Sequence, residues 1–368
     1  MSKKRVLVVG GTGYLGQHLL QGFSEIQGHP FDLAFTHHST PPQPLVHAIP
    51  HSRAFHVNLQ SGEGFEAISR SFGQCEEKRY ISSFRMFRLV AVKIWGNGKP
   101  HVVVNCAAIS VPRSCEMDPA AAMSINVPSS LVKWLLSFEE SNTLLIHLST
   151  DQGLINPTET FMREFWIQID TDMADHPVYE GVKSFYKEED ETVPVNVYGK
   201  SKVAAEQFIS TNFSNYAILR SSIIIGPQAI SPVPKSLPIQ WIDGVLSRGD
   251  KMDFFYDEFR CPVYVKDVVA IILALTTGWI AEGKQMKLIL NAGGPDRVSR
   301  AQIAETVADV RGYDTSLIKP VSASSVDRGV KSPVDISMDI TELIQTLHIS
   351  PTSLRVGIQL TLESQASS

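Results

Sequence analysis

The stretch R-V-L-V-V-G-G-T-G-Y-L-G-Q-H-L-L, residues 5–20, decides the fold. Its first five residues are an apolar, β-branched run suited to a strand buried on both faces. Glycines follow without a linker, and an amphipathic helical pattern follows the glycines. Strand, turn and helix in that order put Gly10, Gly13 and Gly16 in the spacing G-x-x-G-x-x-G. Missing Cβ atoms there let backbone approach a pyrophosphate at the helix N-terminus. The triplet alone also fits an ordinary tight turn. Its place between strand and helix points to a dinucleotide site, in which Tyr14 and Leu15 join the glycines as candidate cofactor contacts.

Working outward, F-D-L-A-F-T at 31–36 reads as the second strand, with A-F-H-V-N-L at 54–59 and H-V-V-V-N-C-A-A at 101–108 as the third and fourth. In NAD-selective sites an acid near the end of the second strand holds the ribose 2′-hydroxyl. Here Thr36, His37, His38 and Ser39 stand in its place. With no carboxylate to repel a 2′-phosphate, NADP(H) is favoured, and NAD(H) stays open because the arginine expected of an NADP site is also missing. His37 and His38 are either exposed loop residues or phosphate contacts. Asn58, Cys106, Ala107 and Ala108 complete the candidate cofactor set, since small side chains at strand ends let a cofactor lie across the crevice of an open α/β sheet. Simple close packing would use the same small residues.

Composition narrows the class. The 368 residues are 43% apolar and 19% charged, which supports a large core and excludes an extended disordered chain. A formal net charge of −5 gives no general attraction to nucleic acid or anionic membrane, so a small-molecule substrate is expected. Cys75, Cys106, Cys115 and Cys261 lack metal-ligand spacing, so no metal is expected and the thiols fit a reducing, cytoplasmic setting. No apolar run approaches the ~18 residues of a membrane span.

The chemistry is expected at two further places. T-L-L-I-H-L at 143–148 reads as a buried strand, and Ser149, Thr150 and Asp151 stand where it meets solvent. N-V-Y-G-K-S-K-V-A-A-E-Q reads as a helix beginning at Asn196, with Tyr198 and Lys202 one turn apart on one face. A nearby ammonium favours the phenolate, which lets a tyrosine exchange a proton with a carbonyl or alcohol near neutral pH. Lys202 can also hydrogen-bond the nicotinamide ribose. In isolation, Y-x-x-x-K is equally a solvated helix face.

Taken together, G-G-T-G-Y-L-G, N-C-A-A, S-T-D and Y-G-K-S-K in this order resemble the extended short-chain dehydrogenase/reductase family over most of the chain. Within it, H-L-S-T-D-Q, L-R-S-S-I-I-I-G and Y-V-K-D-V look most like dTDP-4-dehydrorhamnose reductases and equally like the β, regulatory subunit of methionine adenosyltransferase. The resemblance implies a doubly wound parallel sheet with a smaller, discontinuous C-terminal substrate lobe. It makes Thr150 the hydroxyl beside the reacting oxygen, Tyr198 the acid/base and Lys202 its partner. The implied activity is NADP(H)-dependent reduction of a 4-keto nucleotide sugar. The alternative is an NADP-binding regulatory subunit whose partner is the methionine adenosyltransferase catalytic subunit.

Residues 1–225 are expected to form the dinucleotide-binding domain and 226–368 mainly the substrate lobe, with 261–292 returning to the first domain. Ser149, Asp151, Arg220, Trp241 and Arg260 are the candidate substrate contacts, and Trp241 also reads as core.

Two 25-residue stretches interrupt the family pattern. Removing 153–177 joins S-T-D-Q to V-Y-E-G, and removing 75–99 joins F-G-Q to P-H-V-V-V-N-C. The stretch 75–99 carries six basic residues against two acidic ones in a chain of net charge −5, and 153–177 carries one basic against five acidic. Neither shows clean helical or strand periodicity, and structureless loops of that length are uncommon in compact domains. Both read as additions to a complete reductase sequence, with a functional loop as the rival explanation. A polar loop anchored beside Thr150 displaces the V-Y-E-G element, and positioning errors of about 1 Å cost ~100-fold in rate. Deleting 153–177 is therefore expected to raise kcat/KM at least about tenfold, or ~1.4 kcal/mol, without weakening NADP(H) binding. Steady-state kinetics of both forms check this, and equal activity would establish a tolerated or functional loop.

Overall fold

Seven short apolar runs pair side by side, and every pairing in the sheet they form is parallel. The computed structural model describes residues 3–73, 75–81, 89–95, 98–138, 142–149, 183–233, 237–327 and 332–364. The sheet strands are β1 (Lys4–Val9), β2 (Phe31–His37), β3 (Arg53–His56), β4 (Val102–Asn105), β5 (Leu144–Leu148), β6 (Tyr216–Ser221) and β7 (Lys287–Ala292). Their spatial order is β7-β6-β5-β4-β1-β2-β3. The fold is thus the expected α/β type with a doubly wound parallel sheet.

Side chains alternate between the two faces with the strand period of two, and both faces are covered. On one face Val6, Val8, Val104 and Ile146 pack against Leu19 of helix α1 (Tyr14–Ser24) and against Ile271 and Ile272 of a late helix, 265–282. On the other, Leu7, Val9, Val103 and Leu145 pack against Ile68, Leu131 and Leu135, and against Ile209 of helix α2 (Val197–Asn212). Asn196 starts α2 as its N-cap, its side chain accepting from the Gly199 N–H at 2.8 Å.

β1 has β2 on one side and β4 on the other, so the chain reverses its direction of travel across the sheet between β1 and β4. A crevice opens at the carboxyl ends of the strands at such a reversal. This is where the glycine turn lies.

A second core holds Ile239, Ile242, Phe254, Val307, Ile318 and Ile358, contributed by helices 238–247, 300–311 and 354–363 and by the parallel pair Met252–Phe255 and Ile318–Val321. The middle helix is closed at its start by a reciprocal capping box, Ser299 with Gln302. β7 returns to the main sheet between the two parts of this lobe. Among the described residues no helix is long and apolar enough to cross a membrane.

The interruption at 75–99 departs from the structureless loop expected of it. Cys75–Ile81 and Leu89–Trp95 form an antiparallel ladder from Cys75↔Trp95 to Ile81↔Leu89. The β-branched content of L-V-A-V-K-I-W explains the strand, which charge counting obscures. Among the described residues the ladder pairs only with itself and extends no edge of the main sheet. Its exit is close to its entry, because a Cβ at Gly98 would overlap the Ser69 carbonyl oxygen and lie 2.8 Å from the Gly73 nitrogen. The other interruption, 153–177, lies outside the described residues. Deleting 75–97, which joins Gln74 to Gly98, is expected to leave the thermal midpoint within about 4 °C of the intact chain. Circular dichroism melts of both forms test this, and a larger fall would make the hairpin part of the fold.

Candidate functional site

Gly10 leaves β1 at φ +80°, and a Cβ there would lie 3.0 Å from the Ala107 nitrogen. Its N–H donates to Thr36 Oγ1 at 3.0 Å, while the Gly11 N–H donates to the Thr36 carbonyl at 3.0 Å. Gly11 also presses on Phe35, whose Cβ would be 2.5 Å from an added Cβ. Gly13 is the N-cap of α1 and meets only the Gly10 carbonyl, so it keeps the turn open. At Gly16 a Cβ would collide with the Gly10 carbonyl oxygen, and its absence lets α1 begin directly behind the turn. α1 has no side-chain cap at Gly13, and Gly13, Leu15 and Gly16 at its start line the crevice.

A cavity of about 590 Å³ adjoins the turn, and Gly10, Gly13, Leu15, Gly16, Asn58, Cys106, Ala107 and Ala108 all line it. These candidates from the sequence are brought together. Tyr14 also lines the cavity; its side chain is buried, its hydroxyl donates to the Pro227 carbonyl at 2.9 Å, and its ring meets His18 edge to face.

Gln17 is a contact that sequence reasoning missed. It is buried, its amide donates to the Thr12 and Ser231 carbonyls at 3.0 and 3.1 Å, and it accepts from the Ser231 N–H at 2.8 Å. It ties the glycine turn to the loop whose Pro232 and Val233 close the cavity. A polar residue on the apolar side of an amphipathic helix is its only signal. Thr36 stands out in the sequence for the charge it lacks, whereas its structural role is to hold the turn.

Tyr198 and Lys202 sit near the end of β5. Lys202 Nζ donates to the Leu148 carbonyl at 3.0 Å and lies 5.7 Å from the centre of the Tyr198 ring. Both side chains are buried, at 1% exposure each. Ser149 is buried beside them, and its hydroxyl has no hydrogen-bond partner among the described residues. Beneath lies a polar layer: Asn105 Nδ2 donates to His147 Nδ1 at 3.1 Å, which leaves the His147 proton on Nε2. Burial, then the Lys202 ammonium, holds His147 well below the usual histidine range, so it is neutral. Burial pushes the Cys106 thiol up to about 12 against the opposing pull of Lys202, so Cys106 is no nucleophile. Thr150 and Asp151 lie outside the described residues.

Three candidate substrate contacts have internal partners. Arg220 on β6 forms a buried fork with Glu206, at 3.1 Å from Nε to Oε1 and 2.8 Å from Nη2 to Oε2, and donates to the Glu188 carbonyl at 3.0 Å. Arg260 is fully buried and donates to the carbonyls of Phe259 and Pro333 and to the Ser332 hydroxyl. Trp241 packs on Phe254 in the second core. None of the three lines the cavity. Among the described residues no group of three or more His, Cys, Asp or Glu side chains is placed to hold a metal ion.

Fold and crevice together define the class, an α/β protein of the Rossmann-like type. The sequence over 159–367, more than half of the chain, matches the family of the RmlD substrate binding domain, and the chain belongs to that family. It is similar to methionine adenosyltransferase 2 subunit beta of Pongo abelii, 25% identical over 360 residues that are 98% of this chain and 87% of that protein. It is also similar to a probable low-salt glycan biosynthesis reductase of Haloferax volcanii, 24% identical over 69% of this chain and 74% of that protein. Among solved structures, a dTDP-4-dehydrorhamnose reductase of Bacillus anthracis in complex with NADP superposes with a TM-score of 0.68 at 16% identity, covering 99% of this chain and 100% of that one. That likeness shows the fold.

The Arg220 geometry yields a test. With both partners buried, Arg220→Met leaves the Glu206 carboxylate without its cation and is expected to cost about 3–5 kcal/mol, while Arg220→Met with Glu206→Leu recovers most of it. Urea unfolding of the three forms reads this directly. A residue serving only as a substrate contact would raise KM and leave the midpoint unmoved.

Proposed function

We propose that the chain binds NADP(H) in the crevice and reduces a 4-keto nucleotide sugar, with Thr150, Tyr198 and Lys202 at the reacting carbonyl. Residues 1–225 with 261–292 serve as the cofactor-binding unit, and the rest of 226–368 as the substrate lobe. The observation that carries this reading is the placing of Tyr198 and Lys202, one turn apart on α2, against the end of β5 and beside the unpartnered Ser149 hydroxyl.

The residues present fit the cofactor. Cβ atoms at Gly10 and Gly16 would fill the turn, and the uncapped start of α1 offers N–H groups to a pyrophosphate. When bound, the nicotinamide supplies hydride to the carbonyl carbon. Tyr198 gives the proton to the carbonyl oxygen, and Thr150 hydrogen-bonds that oxygen. Lys202 holds the ribose and favours the phenolate left behind.

A second reading has its own support. The similarity to methionine adenosyltransferase 2 subunit beta runs over 98% of the chain, and the Tyr198 side chain is buried. A regulatory subunit keeps the cofactor crevice and needs no open path to Tyr198. Its partner would be a methionine adenosyltransferase catalytic subunit.

The two readings part in one set of measurements. NADPH oxidation with dTDP-4-dehydrorhamnose is expected to proceed, and Tyr198→Phe to lower kcat at least about 100-fold with NADPH affinity little changed. No turnover by a folded chain that binds NADPH would sink the reductase reading. Co-purification with an adenosyltransferase, with altered kinetics of that enzyme, would then establish the second.

A further inference from the structure

Helix α1 turns one face to a loop from the far end of the sequence. Tyr14, Gln17 and His18 stand at i, i+3 and i+4, a spacing that puts them side by side on a helix. All three are buried, and all three hydrogen-bond backbone within 227–231, more than 200 positions along the chain. The Pro227 carbonyl accepts from the Tyr14 hydroxyl at 2.9 Å and from His18 Nε2 at 3.3 Å. Burial, then the Lys266 ammonium, lowers His18 to about 4 against the pull of the Pro227 carbonyl, so the ring is neutral with its proton on Nε2. Among the described residues no helix or strand spans 226–233, and these side chains supply partners that secondary structure does not.

Gln17 does most of the joining. A carboxamide has two N–H donors and one acceptor oxygen. One donor goes to the Thr12 carbonyl at 3.0 Å and the other to the Ser231 carbonyl at 3.1 Å, while Oε1 accepts from the Ser231 N–H at 2.8 Å. Turning the amide over would set its oxygen against two carbonyls, so a single orientation satisfies all three contacts. The reciprocal pair with Ser231 repeats the one that two antiparallel strands make, and it fixes the direction of that residue as well as its place. Thr12 lies in the glycine turn and lines the cavity, as do Pro232 and Val233, which follow Ser231 directly. One buried side chain therefore spans from the turn to the facing wall. The near end of the strap is held from the other side, where Gln240 of the helix 238–247 donates to the Gly226 carbonyl at 2.7 Å.

We propose that Tyr14, Gln17 and His18 form a clasp that holds the 226–233 strap as a wall of the cofactor crevice, with Gln17 the positioning residue that sets how long a bound dinucleotide is retained. This rests on the cofactor reading above. A wall already in place carries no ordering cost on binding. A wall in place about a tenth of the time lowers affinity about tenfold. That loss falls on dissociation, since a ligand escapes through a wall that swings away, and rates of association vary little among variants of one site. Ala229 and Leu237 stay buried in the main core on either side of Ser231, so removing the Gln17 contacts frees the wall and leaves its flanks anchored.

The test is stopped-flow displacement of bound NADPH, read by its fluorescence, from the full chain and from Gln17→Glu and Gln17→Met. The first variant keeps an acceptor for the Ser231 N–H and sets a carboxylate against the two carbonyls. The second keeps the volume and makes none of the three contacts. Both are expected to raise the dissociation rate at least about tenfold, the scale of one or two buried hydrogen bonds, with the association rate changed by less than about threefold. Hydrogen exchange of the unsubstituted chain needs no variant to fold: the Ser231 amide is expected to be protected at least about 100-fold in the free chain, and further on adding NADP⁺. Folded variants that melt earlier yet release NADPH at the original rate would show Gln17 to be structural only, and an unprotected Ser231 amide would remove the clasp; either result leaves the cofactor reading standing. A folded chain that binds neither NADPH nor NADP⁺ overturns both.

Discussion

Gly10 and Ala107 meet through bare backbone, with space for no atom between a would-be Cβ and the Ala107 nitrogen 3.0 Å away. That contact fixes how closely the turn after β1 can approach the turn after β4, and so sets the floor of the crevice. Thr36 completes it from β2 by accepting the Gly10 N–H. Three neighbouring strands are thereby locked at the ends where the strand order reverses. The start of α1 then has only one place to point. It lines the cavity because Gly16 lets the helix begin against the Gly10 carbonyl.

The parts of this arrangement that are legible in the sequence are those where one residue type has one physical use. A glycine between a β-branched run and an amphipathic helix is such a case, and so is the apolar run itself. The run at 101–108 reads as a longer strand than the four residues of β4, because Cys106, Ala107 and Ala108 continue its apolar character after the ladder has ended at Asn105. Hydrophobicity marks burial and cannot mark where pairing stops. The hairpin at 75–95 shows the converse, since one of its strands is rich in charge and its pattern reads as loop.

Charged residues are the least legible. An arginine near a proposed substrate lobe suggests a phosphate contact, yet Arg220 and Arg260 are consumed by the chain itself. Each sits below the surface with carboxylate or carbonyl acceptors arrayed around its fork. The identity of those acceptors depends on residues 14 positions away for Glu206 and more than 70 for Pro333, a spacing no local pattern encodes. Trp241 is similar in kind: an aromatic in a proline-rich segment fits a base-stacking platform, but Phe254 provides an apolar surface for it inside the lobe. A buried cation needs partners before it can serve a ligand, and here the partners are internal.

The site therefore divides into halves with different physical bases. The half beside the glycine turn is built from glycine backbone, small side chains and imidazoles, and it is an open cavity. The other half depends on Tyr198 and Lys202 of α2 and on the chain beyond Ser149, and the Tyr198, Lys202 and Ser149 side chains are buried. Lys202 is held by the Leu148 carbonyl, and the neutral His147 beneath it bears no competing charge. Among the described residues, the hydrogen bonds that shape the glycine turn come from Thr36, Gly10 and Gln17 and not from this second half. A chain of this design can keep its cofactor crevice intact while its chemistry is adjusted or given up. That separation lets the glycine turn and its cavity stand independently of the buried Tyr198 and Lys202.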